Sequence, residues 1–198
     1  MTGTLLIIIA TLVYAGIHSL LASLGFKSWA RLRFGSWVEQ WYRLIYNVFA
    51  ALSALPIIIL LYLLPDRTLY QIPFPWLILT VLGQLTGIVI IIVGILQTDA
   101  WHFIGLRQII QTRKAPKSTM ISIGLYSRIR HPLYAGGLLL IWFVPTMTLN
   151  LLILFIPLTI YLLIGAKLEE KRLLHEFGDE YREYQARVPM MLPLPHRK

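Results

Sequence analysis

Residues 128–137 read RIRHPLYAGG, two arginines, a histidine and a proline at the mouth of an apolar run that continues LLLIWFVP. Proline suits the first position of a helix, because its missing N–H is one of the donors left unpaired there anyway. His131 then falls at the N-cap. A helix start carries partial positive charge and free N–H groups, and Arg128 and Arg130 add full charges beside it. Such a stretch would hold an anion, most simply a carboxylate or phosphate; a basic collar facing lipid headgroups accounts for it equally well. The acids lie elsewhere. Of the nine, Glu169, Glu170, Glu176, Asp179, Glu180 and Glu183 fall in the last segment. Glu169 and Glu170 are neighbours, so a helix turns them about 100° apart and they cannot form a paired-carboxylate site. Either they have separate roles, or they are solvated charges matched by Lys171 and Arg172. His18 is the one ionisable residue deep in an apolar run. There it is either a functional group or a hydrogen-bonded contact between helices, since leaving it unpaired in hydrocarbon is costly.

The elements that must position these residues are membrane helices. The chain is 57% hydrophobic and only 14% charged, which is a membrane composition. It contains no cysteine, which excludes disulfides, thiolate metal sites and cysteine nucleophiles; no metal site is expected. A formal charge of +9 could suggest nucleic acid, but the basic residues sit in short segments between apolar runs, where they act as topology signals. No nucleic-acid partner is expected. The start lacks a basic region, so no cleavable signal peptide is expected either.

Runs at 5–24, 44–64 and 76–96 each approach the ~20 residues that cross a bilayer. A fourth, 132–165, is too long for one crossing and is interrupted by PTMTLN at 145–150, which predicts a tight helical hairpin. The fold expected is all-α, a single integral membrane domain with five transmembrane helices. Spans one to three occupy 1–97, and 98–198 carries spans four and five and short cytoplasmic C-terminal helices at 167–177 and 179–186, the latter with Asp179 as its N-cap. Lys27, Arg31, Arg33 and Arg43 follow span one; Arg107, Arg113, Lys114, Lys117, Arg128 and Arg130 follow span three. With five spans these segments and the basic tail share one face, which the positive-inside rule makes cytoplasmic and which leaves the N-terminus outside. The small residues Ala15, Ser19 and Ser23, and the pair Gly83 and Gly87, suit close helix packing.

The motifs in order are Gly124-Leu125-Tyr126, Arg130-His131-Pro132-x-Tyr134-x-Gly136, Glu169-Glu170, Phe177-Gly178-x-x-Tyr181-x-x-Tyr184 and Arg187-Val188-Pro189. Together they resemble the C-terminal half of the isoprenylcysteine carboxyl methyltransferase and phospholipid methyltransferase superfamily, over about residues 122–193. A narrower resemblance, carried by Phe103-x-Gly105-Leu106-Arg107-Gln108, Pro145-Thr146-Met147-Thr148, Arg187-Val188-Pro189-Met190 and His18-Ser19-x-x-Ala22-Ser23, is to methanethiol S-methyltransferases. The N-terminal part is also similar to NnrU-type membrane proteins.

The resemblance implies an integral membrane methyltransferase, of a bacterial inner membrane, that uses S-adenosylmethionine from a cytoplasmic pocket. It implies cofactor binding by Gly124, Leu125, Tyr126, Arg130, His131, Tyr134, Gly136, Glu169, Glu170 and Tyr181. His131 and the helix start would hold part of the cofactor, Glu169 or Glu170 its ribose hydroxyls or sulfonium charge, and Arg130 or Arg187 its carboxylate; Gly136 and Gly137 would admit it close to the backbone. His18, Arg107, Gln108 and Arg187 are the residues it nominates for the catalytic step. The methyl acceptor implied is a small thiol or another apolar molecule reaching the site through membrane lipid. A phospholipid or prenylcysteine carboxylate acceptor is the alternative, and a non-catalytic NnrU-like assembly or transport protein the alternative of another class.

Overall fold

The computed structural model describes residues 2–35, 37–110 and 119–192. The expected basic residues Arg113, Lys114 and Lys117 lie outside the described residues. The protein is mostly helical, and four of its helices are long and apolar enough to cross a bilayer. Their outward faces carry Leu12, Leu52, Ile58, Val89 and Ile92, each at least half exposed. Such apolar surface is stable only against lipid, and the chain is an integral membrane protein.

Two compact units interleave along the chain. The first begins with α1 (Thr2–Ala22), α2 (Leu24–Phe34) and α3 (Trp37–Leu63). Ser23 separates α1 from α2: its Oγ accepts from Phe26 N at 3.2 Å and caps the second helix, as serine does at helix starts. Tyr42 of α3 donates its hydroxyl to Leu21 O at 2.5 Å, tying α3 to α1. The short helices α5 (Ala100–Ile104) and α6 (Leu106–Ile110) also belong here, held by Asn47 Nδ2 donating to Ile104 O at 2.9 Å. So does the first part of α8 (Leu149–Phe177), whose start is fixed from the segment after α3. There Asp66 Oδ1 accepts from Asn150 N at 3.0 Å and Arg67 N at 2.8 Å, while Asn150 Nδ2 donates to Pro65 O.

The second unit contains strand β1 (Thr68–Gln71), α4 (Leu77–Gln97), a 3₁₀ turn at Gly124–Ser127, α7 (Pro132–Trp142), strand β2 (Thr146–Thr148), the rest of α8, and α9 (Asp179–Arg187). Helices α4 and α7 pack antiparallel. Leu133 lies beside Gly94, Gly136 against Gly87, and Phe143 against Gly83. A Cβ on either Gly87 or Gly136 would stand 2.8 Å from the other's carbonyl oxygen, so both must be glycine for the backbones to approach this closely. The predicted Gly83/Gly87 contact face is thus used, by α7.

The run 132–165 differs from the two full helical spans expected. α7 has 11 residues, about 16 Å of helix against a hydrocarbon core of ~30 Å. The expected turn at 145–150 instead contains the strand β2, which pairs with β1 and leads directly into α8, and Ile72 N donates to Pro145 O at 2.8 Å. Pairing satisfies backbone groups that a bare turn would leave unmet, a strong requirement near lipid. Downstream, α8 runs unbroken through 167–177, and Gly178 at φ +59 stops it. Gly178 rather than Asp179 is the N-cap of α9; Asp179 is the first helical residue and accepts from Arg182 at 2.7 Å.

Candidate functional site

The separated motifs of the second unit meet around the start of α7. Gly124 opens the 3₁₀ turn at φ +62, a conformation that favours glycine, and a Cβ there would stand 2.2 Å from Gln97 Nε2. Gln97, the last residue of α4, accepts from Leu125 N at 3.0 Å and so holds the turn. From the other side Tyr184 donates its hydroxyl to Tyr126 O at 2.5 Å. The turn carrying Gly124, Leu125 and Tyr126 is therefore clamped between α4 and α9.

The RHP and RVP motifs are joined by their backbones. Arg130 N donates to Pro189 O at 2.9 Å and His131 N to Met190 O at 3.0 Å. Pro189 accepts here without needing a donor of its own. The Arg130 guanidinium continues the seam: Nη1 donates to Val188 O and, at 3.1 Å, to Gln185 O, and Nε donates to Glu170 Oε1 at 2.6 Å. With 11% of its side chain exposed, Arg130 is an internal strut. Its Nε and Nη1 are occupied by protein acceptors.

Glu170 completes that strut. Its Oε1 also lies 3.2 Å from His131 Nε2, and its Oε2 accepts from Gln185 Nε2 at 3.1 Å. Glu169, one residue earlier, points elsewhere, as adjacent helical residues must. It accepts from the Tyr134 hydroxyl at 3.1 Å, approaches His131 Nδ1 at 3.8 Å, and is 37% exposed where Glu170 is 14%. His131 is buried at 4% exposed and meets Tyr134 edge-on, ring centroids 5.4 Å apart. It occupies the N-cap with Pro132 next to it, and its side chain faces the two carboxylates instead of capping α7.

Three tyrosines complete the surroundings. Burial, with the Glu169 charge adding to it, pushes the Tyr126 phenol up to about 12. Tyr184 is also pushed up to about 12 by burial, against the pull of Arg130. Burial and then the Glu170 charge raise Tyr181 as well. All three stay neutral at physiological pH and so keep a hydroxyl able to donate a hydrogen bond, as Tyr184 does. The Tyr181 hydroxyl is buried with no partner among the described residues, an arrangement that costs about 1–3 kcal/mol unless a ligand or water meets it.

Of the residues nominated from sequence, the structure brings together Gly124, Leu125, Tyr126, Arg130, His131, Tyr134, Glu169, Glu170 and Tyr181. Gly136 is buried against Gly87, so its missing side chain is taken up by α4. Arg187 is exposed on α9, its Nε 3.3 Å from Glu183 O. His18 and Arg107 belong to the first unit. There His18 Nε2 shares a 2.7 Å hydrogen bond with the Tyr46 hydroxyl, and Arg107 pairs with Asp99. The side chain of Gln108 lies outside the described residues. Sequence reasoning missed Gln97 and Gln185, whose only signal is a polar amide at the end of an apolar span and on the inner side of a short amphipathic helix.

The arrangement can hold a polar ligand with a cationic or hydroxyl-bearing part. Glu169 offers a partly exposed carboxylate that accepts from Tyr134, Tyr181 a buried hydroxyl without a partner among the described residues, and the Glu170–Arg130 strut lies behind them.

Residues 25–188 match the family described as "Protein of unknown function (DUF1295)". Methanethiol S-methyltransferase 1 of Bradyrhizobium diazoefficiens is 31% identical over 91% of this chain and 64% of its own length. The methanethiol S-methyltransferase of Pseudomonas deceptionensis is 32% identical over 91% of this chain and 69% of its own. Human protein-S-isoprenylcysteine O-methyltransferase is 28% identical over 56% of this chain and 41% of its own. The chain thus spans about two thirds of the length of these two bacterial relatives. No solved structure matches.

Proposed function

The chain belongs to the DUF1295 family, within the isoprenylcysteine carboxyl methyltransferase-like superfamily, and on that premise we propose that it is an integral membrane S-adenosylmethionine-dependent methyltransferase whose acceptor is a small thiol. The observation that carries the reading is the closed constellation of Arg130, His131, Glu169, Glu170 and Gln185 at the start of α7. The donor set fits the cofactor. Glu169 accepts from the ribose hydroxyls or offsets the sulfonium charge, Tyr181 donates its otherwise unmet hydroxyl, and the turn at Gly124–Tyr126 closes one wall. With Arg130 engaged, Arg187 is the arginine left to meet the methionyl carboxylate, by the bidentate geometry arginine favours. When bound, the cofactor supplies a methyl group on a sulfonium, which a thiolate takes by in-line displacement.

The protein's own contribution is to bind, align and exclude water. A thiol must lose its proton first, since an unperturbed thiol has a pKa near ~8.5. His18, hydrogen-bonded to Tyr46, and Arg107, paired with Asp99, are the residues proposed to bind or activate it, with Gln108 beside Arg107 in sequence. The human relative's name favours a second acceptor class, a prenylcysteine carboxylate.

The topology proposed keeps five crossings. The fourth is composite: α7 supplies about 16 Å and residues 143–148, which include the strand β2, up to about 20 Å more, together enough for a ~30 Å core. This puts the basic segments and α9 in the cytoplasm and the N-terminus outside.

Calorimetric titration of the purified protein with S-adenosylhomocysteine tests the reading. Saturable binding with one site is expected. No binding in either detergent or lipid would reject the enzyme reading.

A further inference from the structure

Helix α2, LGFKSWARLRF, is an 11-residue helix that cannot cross a bilayer, yet it leaves Leu24, Trp29 and Leu32 exposed at 68%, 53% and 89%. In water that surface would be an unexplained cost. At about 100° per residue these three side chains fall within an arc of about 140°. Lys27 and Arg31 border the arc on one edge and Arg33 on the other, and Ala30, the one buried residue of the helix, lies opposite and faces the protein. The helix has three cations and no acidic residue.

Both ends are tied to helices that span. α1 ends one residue before it and α3 begins soon after, so α2 is held at one membrane face. Its aromatic rings are braced: Phe26 and Trp29 lie 5.2 Å apart and Trp29 and Phe34 6.1 Å apart. Trp37 and Trp41 stack at the start of α3, where an aromatic belt is expected.

We propose that α2 lies in the headgroup region with Leu24, Trp29 and Leu32 among the acyl chains, and that Lys27, Arg31 and Arg33 bind the phosphates of anionic phospholipid. A purely apolar anchor would not need cations on both borders of its stripe. Long basic side chains can bury their stems beside the stripe while their charges reach the phosphates. This role is independent of the methyl-transfer reading.

The absence of cysteine makes a local test simple. A benzophenone is attached to the full-length Leu32→Cys protein in nanodiscs of equimolar phosphatidylcholine and phosphatidylglycerol, and the lipid adducts formed on illumination are weighed by mass spectrometry. Adducts with phosphatidylglycerol should dominate. Combining Lys27→Gln, Arg31→Gln and Arg33→Gln should lower the ratio of the two adducts by about fivefold for each basic residue removed, the factor implied by ~1 kcal/mol per residue near an anionic surface. The exposed Arg33→Gln change alone should lower it in the same direction, should the triple variant fold poorly. Absence of lipid adducts would take α2 off the membrane, and equal yields from the two lipids, or a ratio unmoved by the substitutions, would overturn the anionic preference.

Discussion

Glu169 and Glu170 share a backbone and little else. Glu170 neutralises a nearly buried guanidinium and meets a buried histidine, so removing it leaves Arg130 without its counter-charge. Breaking such a pair costs about 3–5 kcal/mol. Glu170→Ala should therefore lower the melting temperature sharply. Glu169→Ala should hardly move it, yet should weaken S-adenosylhomocysteine binding about tenfold, the loss of one charge-assisted hydrogen bond. Thermal unfolding and calorimetry on both variants check this, and equal effects on both quantities would contradict the division of labour. The motif residues themselves were legible in the sequence, because their order is distinctive. The job of Arg130 was not. Its carbonyl partners, Gln185 and Val188, lie 55 and 58 residues downstream, and no local pattern announces a contact across that distance.

At the scale of elements, the α4–α7 seam and the cap on α8 are the exposed points. Gly87→Ala places a methyl 2.8 Å from a backbone oxygen that cannot swing aside, so α4 and α7 must separate. A loss of about 1–3 kcal/mol is expected, read as a lower midpoint in thermal unfolding. Asp66 gives a pH-dependent counterpart. Burial pushes its carboxyl up, but hydrogen bonds from Thr148, Asn150, Arg67 and Leu149 outweigh that and hold it below its ordinary value. A carboxyl depressed in the folded state stabilises above its unfolded value near ~3.9 and loses that contribution as pH falls through the folded value. The native protein should thus lose more stability on acidification below about pH 4 than Asp66→Asn does. Three long spans and both C-terminal helices were readable from hydropathy and from Gly178. The β1–β2 ribbon was not, since TLYQ and TMT are too short to show a period and acquire strand character only by pairing with each other.

At the scale of the whole molecule, the chain puts most of its chemistry-bearing residues in the second unit and His18 and Arg107 in the first. Composition alone gave the membrane setting, and the order of motifs gave the superfamily. The number of helical spans was less legible, because the run 132–148 has the apolar content of a spanning helix although only the 11-residue α7 and the short strand β2 form within it. The protein is proposed to move a methyl group from S-adenosylmethionine to a small thiol. The direct measurement is transfer of a labelled methyl group by the purified protein in lipid, compared across methanethiol, prenylcysteine analogues and aminophospholipids. Labelled dimethyl sulfide from methanethiol, lost in Glu169→Ala, is the result predicted; label appearing only in the lipids, or in none of the acceptors, would contradict it.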